Sequence, residues 1–282
     1  MRPRPTGAVP GVVAITVVAG TGMLAVVATS LGLMPLYGRP TPGLTGWRTA
    51  APDLAAGVGE SLLIAVPATL LAAVVGLLLA VVMLPGGRAA TVVRIACLVA
   101  LAVPHLVGAT SVLLLLGDGG LGARLLAPAT GGAWPALVGG PWPVATVLEL
   151  AWKESAFVAL VVLAAVAPGH RARMEVAAGL GARPWQRLTR VLLPTAAPAV
   201  GAASLVTLVY AIGSYEVAWL LGRAVPEPLP VLAFRLFGSI ELADRPAAAA
   251  AAVTGAALAL GVTVPALAAL PRLRALTEGV RA

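Results

Sequence analysis

Charge is what this chain has least of. Of its 282 residues only 11% are Asp, Glu, Lys or Arg, too few to give a water-facing coat to a globule of this size. Cysteine is nearly absent too. Cys97 stands alone, which excludes an intramolecular disulfide, and inside an apolar run it reads as a small buried hydrophobe. Histidine occurs twice, and neither residue has a partner at metal-ligand spacing, so no metal site is expected. His105 follows Pro104 within an apolar run and is expected to line a helix break; His170 opens a basic loop and is expected in solvent. Lysine occurs once, at Lys153. A phosphate-cradling P-loop closes on Gly-Lys-Ser/Thr, but Trp152 precedes Lys153, so the chain cannot hydrolyse ATP by that route. No Ser/His/Asp constellation, HExxH or paired-aspartate motif is present, which argues against a membrane-embedded enzyme.

What the chain has instead is apolar length. Hydrophobic residues make up 60% of it, mean hydropathy is +0.98, and six runs are long enough to cross a hydrocarbon core that takes about 20 helical residues. They lie near 9–34, 57–84, 95–116, 143–167, 197–221 and 247–270, bounded by breakers such as "LYGRPTPG", "PGGR" and "GDGG". The expected fold is therefore all-α, a polytopic membrane protein with six transmembrane helices. The basic start "MRPRP" resembles a signal peptide, but the run behind it is too long for a signal core, so a retained helix is expected. The excess positive charge, +8 overall, sits at the ends of apolar runs and not in patches interleaved with exposed aromatics, which argues against nucleic acid as a partner. With both termini in the cytoplasm, twelve arginines fall inside, at 2, 4, 88, 94, 171, 173, 183, 187, 190, 272, 274 and 281, and six outside, at 39, 48, 124, 223, 235 and 245. The positive-inside rule favours that orientation.

One basic segment differs from a simple loop. "EVAAGLGARPWQRLTRVLLP", residues 175–194, follows "RARM", a good helix start, and has Gly179 and Gly181 for a turn. Pro184 then suits the first position of a second helix, in which Arg183, Arg187 and Arg190 share a stripe away from Trp185, Leu188, Val191 and Leu192. An amphipathic helix-turn-helix is expected. On composition alone it reads equally as an interfacial loop whose arginines meet anionic membrane lipid.

Its residue order resembles the "EAA" loop of permease subunits of type I, binding-protein-dependent ATP-binding-cassette importers. Glu175, Ala177, Gly181 six residues after the glutamate, and the closing Val191, Leu193 and Pro194 match that pattern, and "GARPW" matches its usual Gly-Ala-Ser-Pro-Trp. Val176 in place of the first alanine and Val191 in place of isoleucine are the departures. The resemblance extends over about 57–270 and implies a five-helix permease core, residues 57–270, with one added N-terminal helix, 9–34. It also implies that 168–196 is a cytoplasmic coupling loop, with Glu175, Ala177, Ala178, Gly181, Ala182, Pro184, Trp185, Arg187 and Pro194 at the contact with a separate ATPase that carries ATP and Mg. Further implied partners are a second permease subunit, identical or related, and an extracytoplasmic solute-binding protein. The chain itself would need no cofactor.

Charged residues inside apolar spans cost roughly 2.5–3.5 kcal/mol each and tend to mark function. Glu149 and Lys153, at i and i+4, Glu154 beside them, Glu216 with its neighbour Tyr215, and Glu60 form the candidate solute pathway. The competing reading is that Glu149 and Lys153 neutralise each other while Glu60 and Glu216 reach interfacial water. Pro67, Pro104 and Gly213–Ser214 are candidate helix breaks, and Gly255 and Gly261 in the sixth run read as close helix packing. Mostly acidic groups favour a cationic solute such as a polyamine, and the "GSYEVAWLLG" region resembles polyamine, thiamine, iron and phosphonate-type permeases more than sugar or amino-acid ones. The alternative to an importer subunit is a self-sufficient secondary transporter or channel.

Overall fold

The computed structural model describes residues 9–126, 129 and 131–279, with side chains to 268 apart from the omitted positions. Among the described residues there is no strand. Twelve α-helices follow in order: α1 Val9–Ser30, α2 Thr45–Met83, α3 Gly87–Ala102, α4 His105–Leu116, α5 Leu121–Leu126, α6 Val144–Val166, α7 His170–Gly179, α8 Pro184–Arg187, α9 Leu193–Gly213, α10 Glu216–Leu221, α11 Leu229–Phe237 and α12 Arg245–Gly279. A π-helical stretch, Leu188–Leu192, joins α8 to α9, and a 3₁₀ turn, Leu242–Asp244, leads into α12.

Sidedness is reversed relative to a water-soluble bundle. Large apolar groups such as Val12, Ile15 and Val18 on α1 and Leu70, Val74 and Leu78 on α2 face outward, while the buried positions are dominated by alanine. That is the arrangement expected when lipid solvates the outside as readily as leucine does, and helices associate through close backbone approach. Five helical stretches have the length and apolarity to cross a membrane. A sixth, α6 with α7, does so as a pair bent by 66°. The protein is a multi-pass membrane protein.

At its centre α6 lies along α2, with α9, α4 and α12 packed around them. Gly76 on α2 permits this contact, since a Cβ there would stand 2.6 Å from the Cβ of Val158. Gly46 does the same at the far end of α2, where a Cβ would come within 2.6 Å of the Pro246 carbonyl carbon. The expected close packing at Gly255 and Gly261 is absent. A Cβ at Gly255 would meet Leu229 at an ordinary 3.8 Å, and one at Gly261 would meet nothing within 4 Å.

Several run boundaries move for physical reasons. The second run begins at Thr45, not 57, and its 39 residues at 1.5 Å each give a helix of about 58 Å, nearly twice the ~30 Å hydrocarbon core. The projecting start is held by Ala50 and Leu54 against Leu229, Leu232 and Ala247. Pro67 does not break it, for α2 runs through both Pro52 and Pro67. The third run is divided at Val103–Pro104 into α3 and α4. The fifth begins at Pro184 and stops at Gly213, so the expected second loop helix is one turn continuous with the span.

Gly76→Leu is expected to cost about 1–3 kcal/mol by overpacking the α2–α6 contact. Gly201→Ala, with nothing within 4 Å of the new Cβ, is the control. Thermal unfolding of the detergent-solubilised protein should separate the two.

Candidate functional site

Proline has no backbone N–H, so Pro104 cannot supply the bond that the Ala100 carbonyl would receive in an unbroken helix. Val103, with ψ of 125°, is extended and turns its own carbonyl out of the ladder. Lys153 fills this gap from α6. Its Nζ donates to the Ala100 carbonyl at 2.8 Å and to the Val103 carbonyl as well. The side chain is 2% exposed, and its charge sits at the negative end of the α3 dipole. Glu149 and Lys153 therefore do not pair with each other as the competing reading had it; the lysine caps a helix belonging to a different segment.

The same break starts α4 at His105 and aims its ring at α6. Nδ1 lies 3.4 Å from Glu149 Oε1 and Nε2 lies 3.7 Å from Glu154 Oε1. Tyr210 of α9 packs against the imidazole, with centroids 4.9 Å apart. Thr207, one turn before it, donates its hydroxyl to Glu154 Oε2 at 3.2 Å. Glu149 is fully buried, and neither of its oxygens accepts a hydrogen bond from the described residues. Gly108 makes room for it, because a Cβ there would sit 2.6 Å from Glu149 Oε1. Among the described residues no group of His, Cys, Asp or Glu side chains converges as a metal site would.

Glu216 begins α10 just past the Gly213–Ser214 break. It is exposed, with no ion pair or hydrogen bond among the described residues. Tyr215 is held in an aromatic stack, 4.5 Å from the Phe234 centroid and 6.2 Å from that of Trp219.

Glu60 is elsewhere in character. It is 3% exposed, not in interfacial water. Both of its oxygens accept from Arg223, Oε1 from Nε at 3.1 Å, and Arg223 Nη1 also donates to the Pro141 carbonyl at 3.0 Å. This clamp joins α2 to the loops after α10 and before α6. Arg223, His105, Thr207 and Tyr210 were not among the expected site residues, because their partners lie 44 or more positions away and no local pattern marks them.

At the other end of the bundle the segment after α6 builds a rigid bend. Arg173 Nη2 donates to the carbonyls of Val166 at 2.9 Å and Pro168 at 3.1 Å, closing the end of α6. α7 then ends in a Schellman motif: the Gly181 N–H bonds Ala178 and the Ala182 N–H bonds Ala177, each at 2.9 Å, with Gly181 at φ +80°. Gln186 turns back to accept from the Arg183 N–H at 2.8 Å, and Pro184 opens α8. Ala177 is buried beneath the bend, whereas Ala178, Pro184 and Pro194 are exposed. Glu175 is exposed and accepts from Arg171 at 2.8 Å. Arg187 is half-buried with its Nε shielded, whereas Arg183 and Arg190 are exposed. His170 is likewise half-buried, with Nδ1 shielded and unbonded. The outer surface presents Val176, Leu180 and Trp185, with Leu180 at 84% and Trp185 at 70% exposure.

Residues 72–273 match the family model described as "Binding-protein-dependent transport system inner membrane component". The chain belongs to this family. Over 203 residues the chain is 34% identical to the inner membrane ABC transporter permease protein YnjC of Escherichia coli (strain K12), covering 70% of this chain and 38% of that relative. It thus spans about two fifths of the length of the curated relative. Two crystal structures of a bacterial alginate ABC transporter share the fold at 19% identity. One, in complex with an alginate pentasaccharide-bound periplasmic protein, has a TM-score of 0.76 over 95% of this chain and 93% of that one. The other, of a transporter involved in import of the acidic polysaccharide alginate, has a TM-score of 0.74 over 95% and 94%.

Lys153→Met should leave two buried carbonyls without a donor and cost about 2–3 kcal/mol, the scale of a hydrogen bond to a charged group plus exposed desolvation. Adding Pro104→Ala returns an N–H to the position facing Ala100 and should recover part of that loss. Comparing unfolding midpoints of the single and double variants measures it.

Proposed function

We propose that this chain is the permease subunit of an ATP-driven, binding-protein-dependent importer. ATP and Mg would be held by a separate cytoplasmic ATPase. Further partners would be a second permease subunit, identical or related, and an extracytoplasmic solute-binding protein. The observation that carries the proposal is the α7–α8 bend. Its Schellman geometry falls on the family-like residues Glu175, Ala177, Gly181 and Pro184, and it offers Val176, Leu180 and Trp185 to a partner. Large apolar groups at such exposure on a basic loop are what a docking face requires. In this reading the bend faces the cytoplasm of a cell whose plasma membrane the chain spans, and an even number of spans places both termini there. A self-sufficient transporter or channel would leave that face without a purpose.

Gly181→Val is expected to leave membrane insertion intact, since a Cβ there meets nothing within 4 Å. A β-branched residue at φ +80° is nonetheless strained by about 1–2 kcal/mol, and the bend should reshape. Uptake and co-purification of the ATPase should fall together, by about tenfold for 1.4 kcal/mol. Wild-type uptake in this variant would overturn the coupling role. ATP turnover surviving removal of every co-purifying protein would overturn the subunit assignment.

We infer further that the solute is cationic, a polyamine being one example. Lys153 is withdrawn onto carbonyls and Arg223 is spent on Glu60, so the acidic groups left without a lysine or arginine partner are Glu149 and Glu154, which face His105 beside Tyr210, and the exposed Glu216. Acidic side chains with aromatic faces in a low-dielectric setting attract a cation. An acidic polysaccharide such as the one carried by the structural relatives would be repelled. Glu216→Gln should raise the KM for a cationic solute by about two- to fivefold, the size of one partly exposed ion pair, with assembly unchanged. An unchanged KM, or transport of an anion, would remove Glu216 from the role.

A further inference from the structure

At the membrane end opposite the bend, α1 lies against α12 without closing on α11. The resulting groove has a cavity of about 370 Å³, walled by the small residues Ala25, Ala248, Ala249 and Ala252 and by Phe234 and Phe237. A second cavity of about 530 Å³ adjoins it at the mouth and is lined by Tyr37, Arg39 and Asp244; Thr29 and Arg245 belong to both. The first is almost wholly apolar and the second carries the polar groups, in the order a lipid molecule would present from its tail to its head.

The guanidinium of Arg245 stands at the junction. It lies over the Phe237 ring, 4.1 Å from the centroid, and its Nε–H is shielded without an acceptor among the described residues. Asp244 is its sequence neighbour, yet Arg245 has no ion pair among the described residues. An N–H that is shielded and unbonded costs about 1–3 kcal/mol, so an acceptor from outside the chain is called for. The planar fork of arginine matches phosphate oxygens two at a time. Around the mouth, Arg39 and Arg245 against Asp244 leave one positive charge in excess.

We propose that this groove binds one anionic phospholipid, its phosphodiester on Arg245 and Arg39 and one acyl chain between α1 and α12. A headgroup without an ammonium is favoured, because the surplus charge at the mouth is positive. Tyr37 at the rim suits the water-lipid interface. The lipid would complete the seat of α1, whose other faces are exposed.

The test is native mass spectrometry of the full chain, washed in detergent and then offered phosphatidylglycerol or phosphatidylethanolamine. One phosphatidylglycerol per chain should be retained, about tenfold in preference to phosphatidylethanolamine, and inorganic phosphate should not displace it. Arg245→Gln and the groove-filling Ala252→Phe should each lower retention by about tenfold, while Arg245→Lys keeps the charge without the fork and should fall between. Equal retention of both lipids, displacement by free phosphate, or undiminished retention in a folded Arg245→Gln protein would each overturn the site. The competition arms use the unaltered protein, so they decide the matter even if a variant fails to fold.

Discussion

A single ammonium group sets the geometry of the centre. Without a donor from α6, the carbonyls that Pro104 leaves open on α3 would sit in a dry bundle with no partner, and a chain that must cross lipid cannot leave backbone groups so. Pro104 fixes where α3 ends and where α4 begins, and Lys153 answers the need that this break creates from another helix. The position of His105, the first residue of α4, follows from it. So does the meeting of His105 with Glu149 and Glu154. A lysine that would be costly alone in a membrane is stabilised here by the same broken helix it stabilises.

Charge in this bundle is consequently sorted into two kinds. Lys153, Arg223 and Glu60 are held by partners across the fold and act as fasteners. Glu154 is held more loosely, by Thr207 and His105, and Glu216 keeps freedom to meet something else through its exposure at a helix break. Composition treats all five alike, and only the partners separate them.

What the sequence made legible follows the range of the interaction involved. The Pro104 and Gly213 breaks and the turn at Gly181 are local, written in a few adjacent residues, and each appears where the pattern placed it; the apolar runs are present too, with several of their ends shifted. The Glu60–Arg223 clamp spans 163 positions, and nothing near either residue announces the other. The i,i+4 spacing of Glu149 and Lys153 was misleading for a related reason. Helical spacing puts two side chains within reach, but a lysine goes to the better acceptor, and the open carbonyls of α3 are visible only once α3 lies beside α6. The length of α2 was missed because Arg48 and Asp53 look like loop residues until Leu229, Leu232 and Ala247 are found packed against Ala50 and Leu54 of the same segment.

The π-helical stretch Leu188–Leu192 has a mechanical meaning. Because it joins α8 to α9 without a gap, the chain from Pro184 to Gly213 is one rod of 30 residues, about 45 Å long at 1.5 Å per residue. Its lower end carries Trp185 and its upper end stops at the hinge before Glu216. If the bend is the docking face proposed above, a twist applied at Trp185 would pass through this π turn and be delivered in part as rotation about the rod's axis. Thr207 and Tyr210 ride on that axis. A few degrees of torque at the bend would thus swing the residues that touch Glu154 and His105, with no need for any side chain to carry the signal across the membrane by itself.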